Sequence, residues 1–162
     1  MIPGKIIRFL EERANAGFAG TRDGNLVPSG HRVCGWQVDA AGRTLTALVP
    51  LASANRLVEA LLDNGRIACT FEEVGTHETY QIKGRYLGHR PVHGVEAELA
   101  DRVRERLTKA LYAQFQAERI DPFVRASIPT PTLAVAVEVT EVFVQTPGPG
   151  AGERIAPSPD AR

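Results

Sequence analysis

The most constraining feature of the sequence is the shortness of two links between strand-like segments. Only residues 39–42 separate the strand candidates 33–38 and 43–49, and a comparably short link separates 66–73 from 79–87. Parallel neighbours in a sheet need a crossover of a dozen residues or more. The sequence therefore predicts antiparallel hairpins and argues against a sheet built from parallel strand–helix–strand units.

Helical periodicity marks three further segments. Apolar residues recur at helical spacing in residues 4–15, after a Pro-Gly pair. A second helix is predicted behind Ser53 as N-cap, and Asn64-Gly65 is expected to end it. Residues 95–119 are predicted as the longest helix, with Asp121-Pro122 as its stop.

Two more strands complete the predicted order of elements. They are expected at 18–21 and at 133–144, and the alternation of the second slips near Thr140, which indicates a β-bulge. The order predicts a mainly β, α+β fold, a six-stranded antiparallel split β-barrel with flanking helices. We expect this domain to span 1–146 and a Pro/Gly-rich C-terminal tail to span 147–162.

Charge and composition limit the partners that this chain can have. The 162 residues carry 19 basic and 19 acidic side chains, so the formal net charge is zero. Proteins that bind nucleic acid or an anionic membrane usually carry a basic excess, so neither partner is expected. No apolar run approaches the roughly 18 residues that cross a bilayer. Because the N-terminal segment is charged and lacks the pattern of a secretory signal, we expect a cytoplasmic protein.

The sequence contains no established catalytic or metal-binding motif. Cys34 and Cys69 are too few for a disulfide scaffold and are expected as free thiols. Together with His31 and His77 they match no zinc-finger or zinc-ribbon spacing, so no metal is predicted. Neither a phosphate-binding glycine loop nor a G-x-S-x-G nucleophile turn is present. The sequence therefore assigns no catalytic residue.

Two segments nevertheless combine cationic and polar side chains. In HRVCGW, Arg32 enters a strand close to Trp36, which places a phosphate-binding guanidinium near a flat aromatic ring. A solvated arginine at a strand end is the ordinary alternative. Ser53, Asn55 and Arg56 fall in the first turn of the second helix, where unpaired N–H groups and the helix dipole favour an anion. Simple N-capping would use the same kinds of residue.

A third candidate is Gln81, a lone amide on the polar face of a strand with aromatic neighbours. Its side chain can bond a carbonyl or ring nitrogen of a heterocycle, or it can face water.

The arrangement of these segments resembles the pyridoxamine 5'-phosphate oxidase-like, FMN-binding split β-barrel family. The likeness lies in the leading helix IIRFLEER, the strand pair HRVCGWQVDAAGRTLTALVP, and the helix SANRLVEALLDNGRIACTF, which feeds a strand directly. THETYQIKG supplies a strand that ends in glycine, and LAVAVEVTEVFVQTPGPGAG is similar to the closing strand of some members. The resemblance spans residues 4–150.

The resemblance implies a homodimer with two FMN sites at the subunit interface. In such proteins, basic and hydroxyl groups from two strands and the following helix hold the FMN phosphate, and the neighbouring chain often supplies a glutamine beside the ring. On this chain, Arg32 and Val33 match the strand contact, Ser53 matches the hydroxyl at the helix start, and Gln81 matches the later amide.

The function that follows is an FMN-dependent oxidoreductase acting on an unknown small molecule. The flavin would carry the redox chemistry, which explains why no nucleophile or acid–base pair stands out. On the substrate side, Trp36 is a candidate for shaping the pocket, and His31 and His77 are candidates for proton delivery.

Two departures from the family leave alternatives open. Val49 and Asn55 stand where members commonly carry threonine and lysine, although Arg56 can replace the missing charge. One alternative is a non-catalytic ligand-binding barrel that has lost FMN. The other is an enzyme that uses a deazaflavin or another flavin.

Overall fold

The structure, a computed structural model, describes residues 1–116 and 119–156. Over these residues the chain forms four helices and eight strands. In chain order they are α1 (Gly4–Glu12), β1 (Asn15–Arg22), β2 (Pro28–Val33), β3 (Gly35–Val38), β4 (Thr44–Pro50), α2 (Leu51–Asn64), β5 (Arg66–Glu73), β6 (Thr79–Pro91), α3 (Gly94–Phe115), α4 (Ile120–Ser127), β7 (Pro131–Val144) and β8 (Arg154–Ala156).

The strands form one curled antiparallel sheet in the order β2-β1-β5-β6-β7-β4-β3, with β8 added beside β7. Val33 ends the edge strand β2 and Gly35 begins the edge strand β3, so only Cys34 lies between the two edges. Because consecutive Cα atoms are 3.8 Å apart, the sheet must curl until its edges meet there. The Cys34 N–H donates to the carbonyl oxygen of Leu48 at 2.8 Å, which continues the β3–β4 ladder. The α+β class and the antiparallel pairing are confirmed.

The prediction of six strands is wrong in number. The predicted strand 33–38 is divided at Cys34, and its first part extends back to Pro28 through residues that the sequence suggested were a loop. Proline is tolerated there because β2 is an edge strand, where one row of N–H groups has no partner. The eighth strand, Arg154–Ala156, falls inside the predicted tail 147–162, of which residues 157–162 lie outside the described residues.

The helices depart from expectation at two ends. The second helix begins at Leu51 with Pro50 as its N-cap, so the prediction of Ser53 as N-cap is wrong. Gly65 ends this helix in the left-handed region at φ 65°, as predicted. Asp121-Pro122, predicted as a stop, lies in the first turn of α4. Proline is tolerated in a first turn because its missing N–H would have no helical partner.

The strands alternate between two faces. Residues on the inner face, such as Ala19, Cys69 and Ile82, form the core together with the buried side of α2. The predicted bulge is confirmed at Thr140, because Lys83 pairs with Glu141 while the next residue, Gly84, pairs with Val139. No helix in the described part of the chain is both long and apolar enough to span a membrane.

Candidate functional site

The outer face of the sheet carries a row of five residues on five neighbouring strands, here called the outer row. In the ladder register, Phe18 of β1 lies opposite both Arg32 of β2 and Thr70 of β5. Thr70 lies opposite Gln81 of β6, which in turn lies opposite Phe143 of β7. Directly opposed residues of an antiparallel pair share a face, so the structure brings the predicted site residues Arg32 and Gln81 onto one surface.

Both predicted residues are held by their neighbours in the outer row. The Arg32 guanidinium carbon lies 4.1 Å from the centre of the Phe18 ring, a cation–π contact. Partial burial lowers the pKa of Arg32, and it remains a cation at neutral pH. The Gln81 Nε2 donates to Thr70 Oγ1 at 3.1 Å. Three strand spacings separate Arg32 from Gln81, or about 14 Å.

The first turn of α2 holds the other polar candidates. Ser53 is the third helical residue and is half-buried, while Asn55 and Arg56 are exposed. The N-cap residue Pro50 has no side chain that can bond the first backbone N–H groups, and no side-chain cap is made. The first N–H groups of a helix have no partner within it, so this turn presents donors to an anion.

His31 lies on the inner face, one residue from Arg32 and pointing to the opposite side of β2. It is buried, and its Nε2 lies 3.0 Å from Ser29 Oγ. Burial lowers the pKa of His31, and the charge of Arg56 lowers it further. Arg56 and His31 are therefore near each other on the inner side, while Arg32 and Gln81 share the outer face.

Two of the remaining candidates are core residues. Val33 is fully buried. Trp36 is 7% exposed, its Nε1 donates to the Leu10 carbonyl oxygen at 3.1 Å, and its ring meets Phe71 edge-on at 4.8 Å. Within one chain the indole ring therefore packs inside rather than forming a wall beside Arg32.

His77 lies apart from the other candidates. It occupies the exposed β5–β6 turn at φ 60°, and its Nδ1 lies 2.7 Å from Glu72 Oε1. The register places Cys69 level with His31, through Ala19. The turn follows Glu73, four residues further along β5, which is about 13 Å. The structure thus separates the two predicted proton donors.

The two cysteines are free and buried, as expected for thiols without a disulfide. Burial raises the pKa of Cys34 to about 11 and that of Cys69 to about 12. Both are thus neutral at physiological pH, without thiolate character. Within residues 1–116 and 119–156, no group of three His, Cys, Asp or Glu is arranged to hold a metal.

A cationic cleft on the outer face was missed from the sequence. It has a volume of about 820 Å³ and opens beside the start of β5. Four of its lining residues are cations, namely Arg22, Arg66, Lys83 and Arg85. They come from three strands and form no motif along the chain. Only the strand register, which puts Arg66 opposite Arg85 and Lys83 opposite Ala68, reveals them as neighbours.

Comparison with known proteins addresses the fold. No protein-family model matches the sequence, and no curated protein matches it. HupZ of Group A Streptococcus is similar in structure, with a TM-score of 0.55 and 14% identity over 94% of this chain and 100% of HupZ. An F420 reductase matches with a TM-score of 0.52 and 12% identity over 88% of this chain and 98% of the reductase. A putative pyridoxamine 5'-phosphate oxidase from Lactobacillus delbrueckii matches with a TM-score of 0.52 and 13% identity, over 88% of this chain and 93% of the oxidase.

These similarities extend over most of each chain, although the sequences have diverged far. The chain has the fold of the pyridoxamine 5'-phosphate oxidase-like proteins, which confirms the architecture that the sequence resemblance predicted. In this chain that architecture is a curled seven-strand sheet with an eighth short strand beside β7.

Proposed function

We propose that this chain is a homodimeric flavin-binding protein, with FMN as its cofactor and oxidoreduction of a small molecule as its activity. The observation that carries the proposal is the outer row, which combines an aromatic ring, a cation and an amide on one open sheet face. A flavin needs these three groups: a surface for a planar ring, a partner for its polar edge, and positive charge for its phosphate.

The polar groups of the outer row suit the edge of a flavin ring. Because Gln81 Nε2 is bonded to Thr70, the orientation of the amide is fixed. Its Oε1 accepts no hydrogen bond from the rest of the described chain and can accept one from a ring N–H. Phe18 is 45% exposed, so it offers an apolar surface beside Arg32.

The first turn of α2 is suited to the phosphate. Its backbone N–H groups are uncapped, its dipole favours negative charge, and Arg56 adds a full positive charge on the next turn. Asn55 is exposed there and can donate from its amide. Ser53 is half-buried, and its hydroxyl can add a further bond.

The placement of these two groups supports a dimer. Arg56 lies near His31 on the inner side of β2, whereas Gln81 lies on the outer face. A second copy that docks on the outer face would bring the α2 turn of one chain towards Gln81 of the partner subunit. Each flavin site would then need both chains.

When bound, a flavin supplies hydride or electron transfer. The chain itself binds and orients the ring and the phosphate. Because neither thiol is ionised at neutral pH, the cysteines offer no competing nucleophile.

The test is a titration of FMN into the purified chain, followed by flavin fluorescence and by the dimer mass in solution. Arg56→Gln and Gln81→Leu should each weaken FMN binding about tenfold, since one charge-assisted or buried hydrogen bond is lost. Arg8→Gln is the matched control, because Arg8 is an exposed cation on α1.

A mixed dimer decides whether the site is shared. Co-expressed with different tags, one Arg56→Gln chain and one Gln81→Leu chain would form one intact site and one doubly altered site. We expect half the flavin of the wild type, bound with wild-type affinity. A mixed dimer that binds as weakly as the two single variants would place the whole site in one chain. Wild-type protein that stays monomeric and binds no flavin would favour the non-catalytic alternative.

The second candidate cofactor is a deazaflavin. It is favoured by the structural likeness to an F420 reductase over 98% of that chain. The same outer row would contact its ring, because a deazaflavin keeps the planar tricycle and the polar edge of a flavin. Titration with F420 beside FMN separates the two, and tighter binding of F420 would favour this candidate.

A further inference from the structure

The cationic cleft described above is a second candidate site, separate from the turn assigned to the flavin phosphate. That turn is at the start of α2, whereas the cleft is lined by Asn64 at the end of the same helix. Fourteen helical residues separate the two ends, or about 20 Å. The inference therefore does not depend on the proposed flavin function.

The first observation is the arrangement of the charges. Arg66 and Arg85 lie directly opposite each other on β5 and β6, and like charges in that position destabilise a sheet. The C-terminal end of α2 favours a cation near Asn64, which accounts for Arg66. It does not account for cations at Lys83 and Arg85 on the next strand. An anion bound between them would remove the repulsion.

The second observation is the lack of compensating acids. Among the described residues that line the cleft, Glu141 is the one carboxylate, and it is ion-paired with Arg154 at 2.9 Å. Arg22 donates only to a backbone carbonyl oxygen, that of Asp23. Lys83 lies over the Phe143 ring at 4.4 Å, which leaves its ammonium without a counter-charge. The cleft thus has a net positive charge in a chain whose total is zero.

The third observation concerns the floor of the cleft, formed by Gly20 and Ala68. A Cβ atom on Gly20 would have the Ala68 carbonyl oxygen as its nearest neighbour, at 3.9 Å, which is an ordinary contact. Packing therefore does not require glycine here, and glycine weakens a strand. Its effect is to leave the sheet surface open between the cations.

We propose that the cationic cleft binds a small organic anion with at least two negative charges. Arginine forks match the oxygens of a phosphate or a carboxylate, and both groups would be held by the same side chains. The carbon part of the ligand would lie on Gly20 and Ala68. A volume of about 820 Å³ admits a metabolite-sized molecule.

The test uses the full chain and two probes, pyrophosphate and citrate, titrated by calorimetry at low salt. We expect one of the probes to bind, and the tighter one reports whether the natural ligand is a phosphate or a polycarboxylate. Arg66→Gln should weaken that binding about tenfold, the value of one charge-assisted contact. Arg8→Gln removes the same charge on α1, outside the cleft, and should change nothing.

Gly20→Val blocks the floor without a packing clash, so it should abolish probe binding while the protein stays folded. The proposal is overturned if neither probe binds, or if both Arg66→Gln and Gly20→Val bind like the wild type. Displacement of the probe by excess FMN would also overturn it, because the cleft would then belong to the flavin site. Loss of FMN binding in the Arg56→Gln variant with probe binding intact is the expected pattern.

Discussion

Strands β1, β5 and β6 carry two different surfaces on alternate residues. On the inner face, Ala19, Cys69 and Ile82 are at most 1% exposed. One residue away on the outer face, Phe18 is 45% exposed, and Thr70 and Gln81 are half-buried and polar. The inner residues stabilise the fold by burial, while the outer ones hold the groups that a ligand would meet. A substitution in these strands should therefore act on stability or on binding according to its parity.

The largest contrast is expected between two glycines. A Cβ on the inner Gly84 would lie 2.3 Å from the Glu138 carbonyl oxygen and 2.4 Å from Val137 Cγ1. Gly84→Val should therefore lower the free energy of unfolding by at least about 3 kcal/mol, through overpacking against backbone. Gly20→Val on the outer face has room, so its stability should stay within about 0.5 kcal/mol of the wild type.

Urea unfolding followed by far-UV circular dichroism measures both glycine variants. Equal losses in the two would show that the faces do not differ as described.

A smaller contrast is expected between neighbouring residues of β6. Ile82 is fully buried, and Ile82→Ala should cost about 3 kcal/mol through lost burial and the cavity left behind. Gln81→Ala removes one hydrogen bond to Thr70 and should cost at most about 1 kcal/mol. Urea midpoints at a constant slope measure this pair, and a Gln81 cost that matches that of Ile82 would contradict the assignment of the two faces.

The smallest effect is expected from His31, a titratable residue on the inner face. Burial and the charge of Arg56 lower its pKa from 6.5, so between the folded-state pKa and 6.5 the unfolded chain binds the proton more readily. Protonation then favours unfolding, and stability should fall as the pH drops below about 6.5.

His31→Gln should flatten this part of the pH profile, because glutamine does not titrate. The urea midpoint measured between pH 7 and pH 5 checks it. An unchanged slope in the variant would mean that other groups cause the pH dependence.

Much of the fold could be predicted because local chemistry decides it. Residues 39–42 do form the β3–β4 hairpin, and Gly65 does end α2. The bulge at Thr140 was visible as a slip in the alternation of the strand. By contrast, Pro28 and Asp121-Pro122 were misinterpreted. Each proline is tolerated through its place in the structure, on an edge strand or in a first turn, which the sequence alone does not reveal.

The candidate sites were harder to predict, because they depend on register. Arg32 and Gln81 were singled out as types of residue, but nothing in the sequence placed them in one row. Trp36 looked available for a ligand, although its ring and its N–H are both used in the core. Arg66 and Arg85 drew no attention, since their proximity arises only when β5 pairs with β6.

The pairing of β4 has a consequence for the chain during its synthesis. One side of β4 is covered early by β3, but the other side waits for β7, and Leu45 pairs with Val137, 92 positions later. At roughly 5–20 residues per second, the ribosome needs roughly 5 to 20 s to make the missing partner. During that time β4 is an open edge, able to pair with another nascent chain. The period of greatest aggregation risk for this protein therefore precedes its release from the ribosome.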